Sequence, residues 1–240
     1  MNKVISIGNQ EFDKIRENDY FYVDKTGFIK EWWESGDDVT LITRPRRFGK
    51  TLNMDMLKCF FSNQYTGRAD LFEGLSIWKE EKYRELQGQY PVIFVSFADV
   101  KERDYESAVR KIKHILVDLY LQYEFLKKNF SESEQMRYRQ ISYNMDNVAA
   151  QDALKSLAAL LSSYYGKKAI ILLDEYDTPM QEAYIHGYWE EFTGFMRSMF
   201  NATFKTNPYL ERAVMTGITR VSKESMFSDL NNFCLLYTSD

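Results

Sequence analysis

The chain has only two cysteines, Cys59 and Cys234, and they offer neither metal-ligand spacing nor a disulfide framework. Cys59 falls on the apolar face of a helical segment, which predicts a small core residue. No apolar run approaches the roughly 20 residues that a membrane span needs. The first residues, MNKVISIGNQEF, lack the apolar centre of a signal peptide. These absences lead to an expected cytoplasmic location without a membrane partner. Positive charge is not in excess either. The 31 Lys and Arg stand against 35 Asp and Glu, a net charge of -4, which excludes a global basic field for nucleic acid. Basicity is local instead: Arg44, Arg46, Arg47 and Lys50 crowd one loop.

What is present suffices for a sizeable core. Hydrophobic residues make up 45% of the 240-residue chain, a length that suits one large α/β domain. Val39–Thr43, 91–97, Ala169–Leu173 and 212–219 read as buried strands, apolar almost throughout, as parallel strands covered on both faces are. Between them lie helical patterns. Gly27 to Ser35 is predicted to be a helix capped by Thr26. Leu52–Phe61, 105–125, Asn147–Tyr165 and 181–204 follow, the last weakened by Gly187 and Gly194. Residues 127–146 read as a hairpin tip or a mobile insertion. Strands alternating with helices predict a three-layer α/β fold with a mainly parallel sheet and helices on both faces.

The informative stretch is VTLITRPRRFGKT, Val39 to Thr51. A strand, a turn ending Gly49-Lys50-Thr51 and a helix form the context in which this triplet means a phosphate-binding loop. Gly49 lets backbone N–H groups approach phosphate oxygens. Lys50 neutralises β/γ-phosphate charge, and Thr51 offers a hydroxyl to Mg²⁺. The new helix adds its N-terminal N–H groups and dipole. The candidate cofactor-binding set is therefore Arg46, Arg47, Phe48, Gly49, Lys50, Thr51 and Leu52. Arg44 departs from the usual pattern, which has glycine there. For Arg46 and Arg47 two readings stay open: contact with phosphate or a neighbouring subunit of a homo-oligomer, or pairing with surface acids.

A second half of the site lies downstream. The strand Ala169–Leu173 delivers Asp174 and Glu175 at its carboxyl end. Two adjacent carboxylates there repel one another unless a cation is near. Asp174 suits Mg²⁺, and Glu175 suits a general base acting on water. Asp177 is read as part of a turn before Pro179. Thr216 is the first candidate to orient the attacking water, and Arg220 or Lys223 could touch the γ-phosphate in the transition state. Ordinary strand-end polarity is the alternative for each. Asp24, Lys25 and Thr26 are placed by position near a base or ribose pocket, with Tyr20 or Tyr22 adjacent; the alternative for the aromatics is core packing.

In this order, YVDKTGFIKE, LITRPRRFGKTLNMDMLKCFF, IILLDEYDTPM and VMTGITRVSKESMFSDLNNF resemble the bacterial AAA-ATPase-like family, over roughly Ile5 to Phe233. The resemblance implies a P-loop NTPase fold of the branch with an added catalytic glutamate. It implies ATP and Mg²⁺ as cofactors, with Lys50 and Thr51 as nucleotide residues and Asp174 and Glu175 as the acidic pair. Preference for ATP over GTP rests on the resemblance, since no guanine-reading N-K-x-D stands in a suitable place. Members commonly carry a C-terminal nuclease-like domain, which would begin beyond this chain. The expected function is Mg-dependent ATP binding and hydrolysis that drives or licenses this effector, the only route by which nucleic acid would be a partner. The alternative is a nucleotide-gated binding switch with negligible turnover. Residues 1–233 are expected to be one domain, cut short at its C-terminal end. The tail CLLYTSD, residues 234–240, resembles a translated transposase sequencing adapter and is expected to be non-native; a genuine apolar strand is the other reading.

Overall fold

Five parallel strands form the centre of the molecule in the order β2-β3-β4-β1-β5. The computed structural model describes residues 4–45 and 47–218, and the backbone of 233–235. Arg46, Arg220, Lys223 and the tail beyond Leu235 lie outside the described residues. The strands are β1 (Val39–Thr43), β2 (Val92–Ser96), β3 (Ala169–Asp174), β4 (Leu210–Gly217) and β5 (Phe233–Leu235). The helices are α1 (Phe12–Glu17), α2 (Gly27–Ser35), α3 (Lys50–Phe61), α4 (Glu81–Arg84), α5 (Tyr105–Leu121), α6 (Glu132–Arg139), α7 (Asn147–Tyr165), α8 (Thr178–His186) and α9 (Trp189–Phe200). Short 3₁₀ turns join α3 to α4, and a π turn follows α9.

Alternation along each strand sorts the core into two layers. Ile170 and Leu172 of β3 join Ile42, Val92 and Val214 against α1 to α4. Ala169, Ile171 and Leu173 join Leu41, Ile93, Val95, Ala213 and Met215 against α5, α7 and α9. β3 is buried along its whole length, so it reads as a continuous apolar run. The three-layer arrangement expected from the sequence is the one observed.

Local chemistry explains the boundaries. Asp146 and Asp104 accept the Ala149 and Ser107 N–H groups at 2.7 and 2.8 Å, capping α7 and α5. Residues 127–146, with two readings in the sequence, contain α6, opened by a capping box between Ser131 and Glu134. The long helical pattern at 181–204 is two helices broken at Gly187. Thr26 does not cap α2. Its hydroxyl donates to Asp24 Oδ1 at 2.6 Å, and the helix opens without a side-chain cap. Cys59 is buried, as its pattern predicts. Trp32 is buried against Phe61, and its Nε1 donates at 3.1 Å to the buried Thr40 hydroxyl, satisfying a polar group inside β1. No helix among the described residues is long and apolar enough to cross a membrane.

Candidate active site

β4 runs between β1 and β3, so three sequence segments converge at the carboxyl ends of neighbouring strands, where open α/β sheets bind ligands. β1 leads into the basic loop and α3. β3 ends at Asp174. β4 brings Thr216 between them.

The loop is held by its neighbours. The Arg44 N–H donates to Gly217 O at 3.2 Å, anchoring its start to the end of β4. Gly49 has φ 74°, a left-handed conformation in which a side chain would be strained, and α3 begins at the next residue. Arg47 adopts φ 70° despite its side chain. The first intrahelical bond of α3 runs from the Asn53 N–H to Gly49 O at 2.9 Å. The N–H groups of Lys50, Thr51 and Leu52 therefore precede it and face the loop, as an anion site requires. The Leu52 side chain packs on the core, so only its backbone belongs to the site. Lys50 Nζ donates to the carbonyls of Arg44 at 2.7 Å and Pro45 at 2.9 Å, so its ammonium bridges the loop.

Asp174 joins the two halves. It is 2% exposed, a burial that a carboxylate tolerates only with hydrogen-bond donors. Thr51 Oγ1, 123 residues away in sequence, donates to Asp174 Oδ2 at 2.8 Å. Thr216 Oγ1 donates to Asp174 Oδ1. The Glu175 N–H points to Thr216 Oγ1 at 3.4 Å, so Thr216 braces both acids. Thr51 and Asp174 form a hard oxygen pair at the helix N-terminus, a donor set that fits Mg²⁺, which takes one or two protein oxygens beside phosphate.

Glu175 has φ 51°, a left-handed backbone at a residue with a side chain, and is half-buried. Such a conformation costs roughly 1–3 kcal/mol and clusters at functional sites. Thr178 Oγ1 donates to Glu175 Oε2 at 3.0 Å, a contact the sequence reading missed. The signal available was a hydroxyl three residues after the acid, at the start of α8.

Asp177 is more than a turn residue. It is fully buried, and its Oδ2 accepts the Ile218 N–H at 2.8 Å and the Gln181 amide at 3.0 Å. It thereby ties α8 to the exit of β4. Gly217 makes this approach possible. A Cβ there would lie 2.7 Å from the Asp177 carboxylate and from the Tyr176 ring. Gly217→Ala is therefore expected to lower stability by about 1–3 kcal/mol, read from the denaturant midpoint.

A cleft of about 410 Å³ opens beside the loop, between α2 and α3. Asp24 and Lys25 line it together with Phe28, Glu31, Arg44, Phe48, Lys50, Asn53 and Ser76, over Ile42 and Met54. Thr26 is fully buried beside it, and Tyr22 belongs to the core. Tyr22 packs on Phe12, its hydroxyl meets Met56 sulfur at 3.3 Å, and burial pushes its pKa up to about 12. Asp24 shapes the rim, accepting from the Thr26 N–H and hydroxyl and from the Ser76 N–H at 2.7 Å. Partial burial alone would raise its pKa, but the donors from Thr26 and Ser76 outweigh this and hold it below the usual carboxylate value. A depressed folded pKa stabilises above the unfolded value of about 3.9, and that stability is lost as pH falls through the folded value. Asp24→Asn is expected to melt lower at neutral pH and to show a shallower loss of stability below about pH 4 than wild type. A larger cavity, about 710 Å³, lies between α6, α7 and Tyr209 before β4. It opens at the amino end of β4, away from the acidic pair.

A family model described as "Predicted AAA-ATPase" matches residues 6–227. An uncharacterized protein in the vnfD 5' region of Azotobacter chroococcum mcd 1 is 29% identical over 232 residues, 96% of this chain and 40% of the relative. The chain thus spans about 40% of that protein's length. No solved structure gives a significant match.

Proposed function

The chain belongs to the predicted AAA-ATPase family, and from that premise we propose that it binds Mg-ATP and hydrolyses it. The observation that carries this reading is the bond from Thr51 to Asp174, which joins the phosphate loop to the acidic strand. A chain with no nucleotide to hold has no need to bring a basic loop, a helix N-terminus and two strand-end acids to one place.

In this reading Lys50 exchanges its loop carbonyls for the β- and γ-phosphate oxygens, helped by the N–H groups that open α3. Arg47 flanks the phosphates, Phe48 lines the cleft beside them, and Arg46, outside the described residues, joins Arg47 by its position in the loop. Thr51 and Asp174 hold Mg²⁺, which when bound neutralises phosphate charge. Glu175 takes a proton from the attacking water. Thr216 holds Asp174 and the Glu175 backbone in place. Arg220, assigned from sequence, stabilises charge on the transferred phosphoryl group. Hydrolysis drives or licenses an attached effector outside this chain, in keeping with the greater length of the matched relative. The nuclease-like character of this effector, and nucleic acid as its partner, rest on the family resemblance. A homo-oligomer would allow Arg46 or Arg47 to reach a neighbouring subunit.

One observation favours a second reading, a nucleotide-gated switch with negligible turnover: the Glu175 carboxylate is already engaged by Thr178. Phosphate release decides between them. Steady release from Mg-ATP supports hydrolysis, whereas ATP-dependent stabilisation without release selects the switch.

A further inference from the structure

We propose that the cleft between α2 and α3 is the nucleoside end of the site, with Phe48 as the wall on which the base stacks and Glu31 as an acceptor for the nucleoside's hydrogen-bond donors. This rests on the reading of Lys50 as the phosphate-binding residue, because Lys50 lines the same cleft and fixes which end of a nucleotide enters it.

Three observations select a nucleoside. The first is volume. About 410 Å³ lies within the range of small-ligand sites. The second is the mixed lining. Phe28 and Phe48 offer aromatic faces, while Lys25, Glu31 and Asn53 offer donors and acceptors. No hydrogen bond or ion pair among the described residues occupies the Lys25, Glu31 or Asn53 side chain. A nucleoside carries both donors and acceptors and has an apolar face. A polyphosphate only accepts, so it could use the cations of the lining but neither the Glu31 carboxylate nor the two aromatic faces, which a nucleoside can use. The third is Phe48 itself. It stands 56% exposed at the rim of the cleft, two residues before Lys50, where a stacked base would remove its ring from water. Stacking is available to every base, so the cleft supplies affinity for a nucleoside and does not by itself choose adenine.

The test compares Mg-ATP with Mg-tripolyphosphate, which has the phosphates and no nucleoside, by titration calorimetry. The wild type, Phe48→Ala, Glu31→Ala and Lys50→Ala are used, each with its melting temperature measured. Phe48→Ala and Glu31→Ala are each expected to weaken ATP about tenfold and to leave tripolyphosphate no weaker. Lys50→Ala should weaken both ligands. Equal weakening of both ligands by Phe48→Ala and Glu31→Ala, or of neither, overturns the nucleoside assignment. If Lys50→Ala leaves both ligands bound, the phosphate reading itself fails, whatever the cleft variants do. If wild type binds neither ligand, both readings fall.

Discussion

Glu175→Gln is expected to lower kcat for ATP hydrolysis by about 10²–10⁴-fold while leaving Mg-ATP affinity nearly unchanged. Glutamine matches the size of glutamate and keeps an oxygen that can accept the Thr178 hydroxyl, now at 3.0 Å from the carboxylate. The left-handed backbone at residue 175 is as accessible to glutamine as to glutamate. What disappears is the basic oxygen that takes a proton from water. The measurement is steady-state phosphate release beside ATP titration and a melting curve. A kcat equal to wild type in a folded protein would remove Glu175 from the chemistry. A loss of affinity as large as the loss of kcat would make it a binding residue instead.

Asp174→Asn tests the other acid through the metal. The wild type should bind ATP more tightly with Mg²⁺ than with EDTA, and the variant should lose most of that difference. Metal neutralisation of phosphoryl charge is worth several kcal/mol, so activity should fall by at least about 100-fold. The fold should survive. Thr51 and Thr216 both donate to the carboxylate, and a hydroxyl can rotate to accept from the new amide. Undiminished Mg²⁺ dependence in the variant would mean that Asp174 serves only to pin the two threonines.

How far the sequence carries is clearest at the strands. β1, β2, β3 and β4 are legible because burial on both faces makes each a continuous apolar run. The order of those strands was not legible. Nothing local to residues 210–217 says that β4 inserts between β1 and β3, yet this placement brings Thr216 onto Asp174. The basic loop and the acidic pair were legible as candidates because both set distinctive residue types at strand ends, where the structure brings them together. Their second contacts were not. Thr178, Asp177 and Gly217 act through tertiary approach, and a turn before Pro179 explained Asp177 equally well in one dimension. Thr26 misled for a related reason. It has the residue type of a cap, but its hydroxyl donates to Asp24 and its oxygen accepts the Ile77 N–H at 3.2 Å instead of an N–H of α2. The cleft shows the same limit. Asp24 and Lys25 were legible as a polar cluster and line the cleft beside the basic loop, whereas Phe28 and Glu31 emerge only once α2 is laid against α3.

The central claim is that Lys50 and its loop bind the phosphates of Mg-ATP. The most direct test is the melting temperature of wild type and Lys50→Ala, each with and without Mg-ATP at about 100 times the wild-type dissociation constant. Ligand at that level adds about 2.7 kcal/mol of stability, which for a chain of this size is a rise of roughly 5–10 °C. The account predicts that rise in wild type and none in Lys50→Ala, with both proteins folded without ligand. No rise in folded wild type, or an equal rise in the variant, would contradict it.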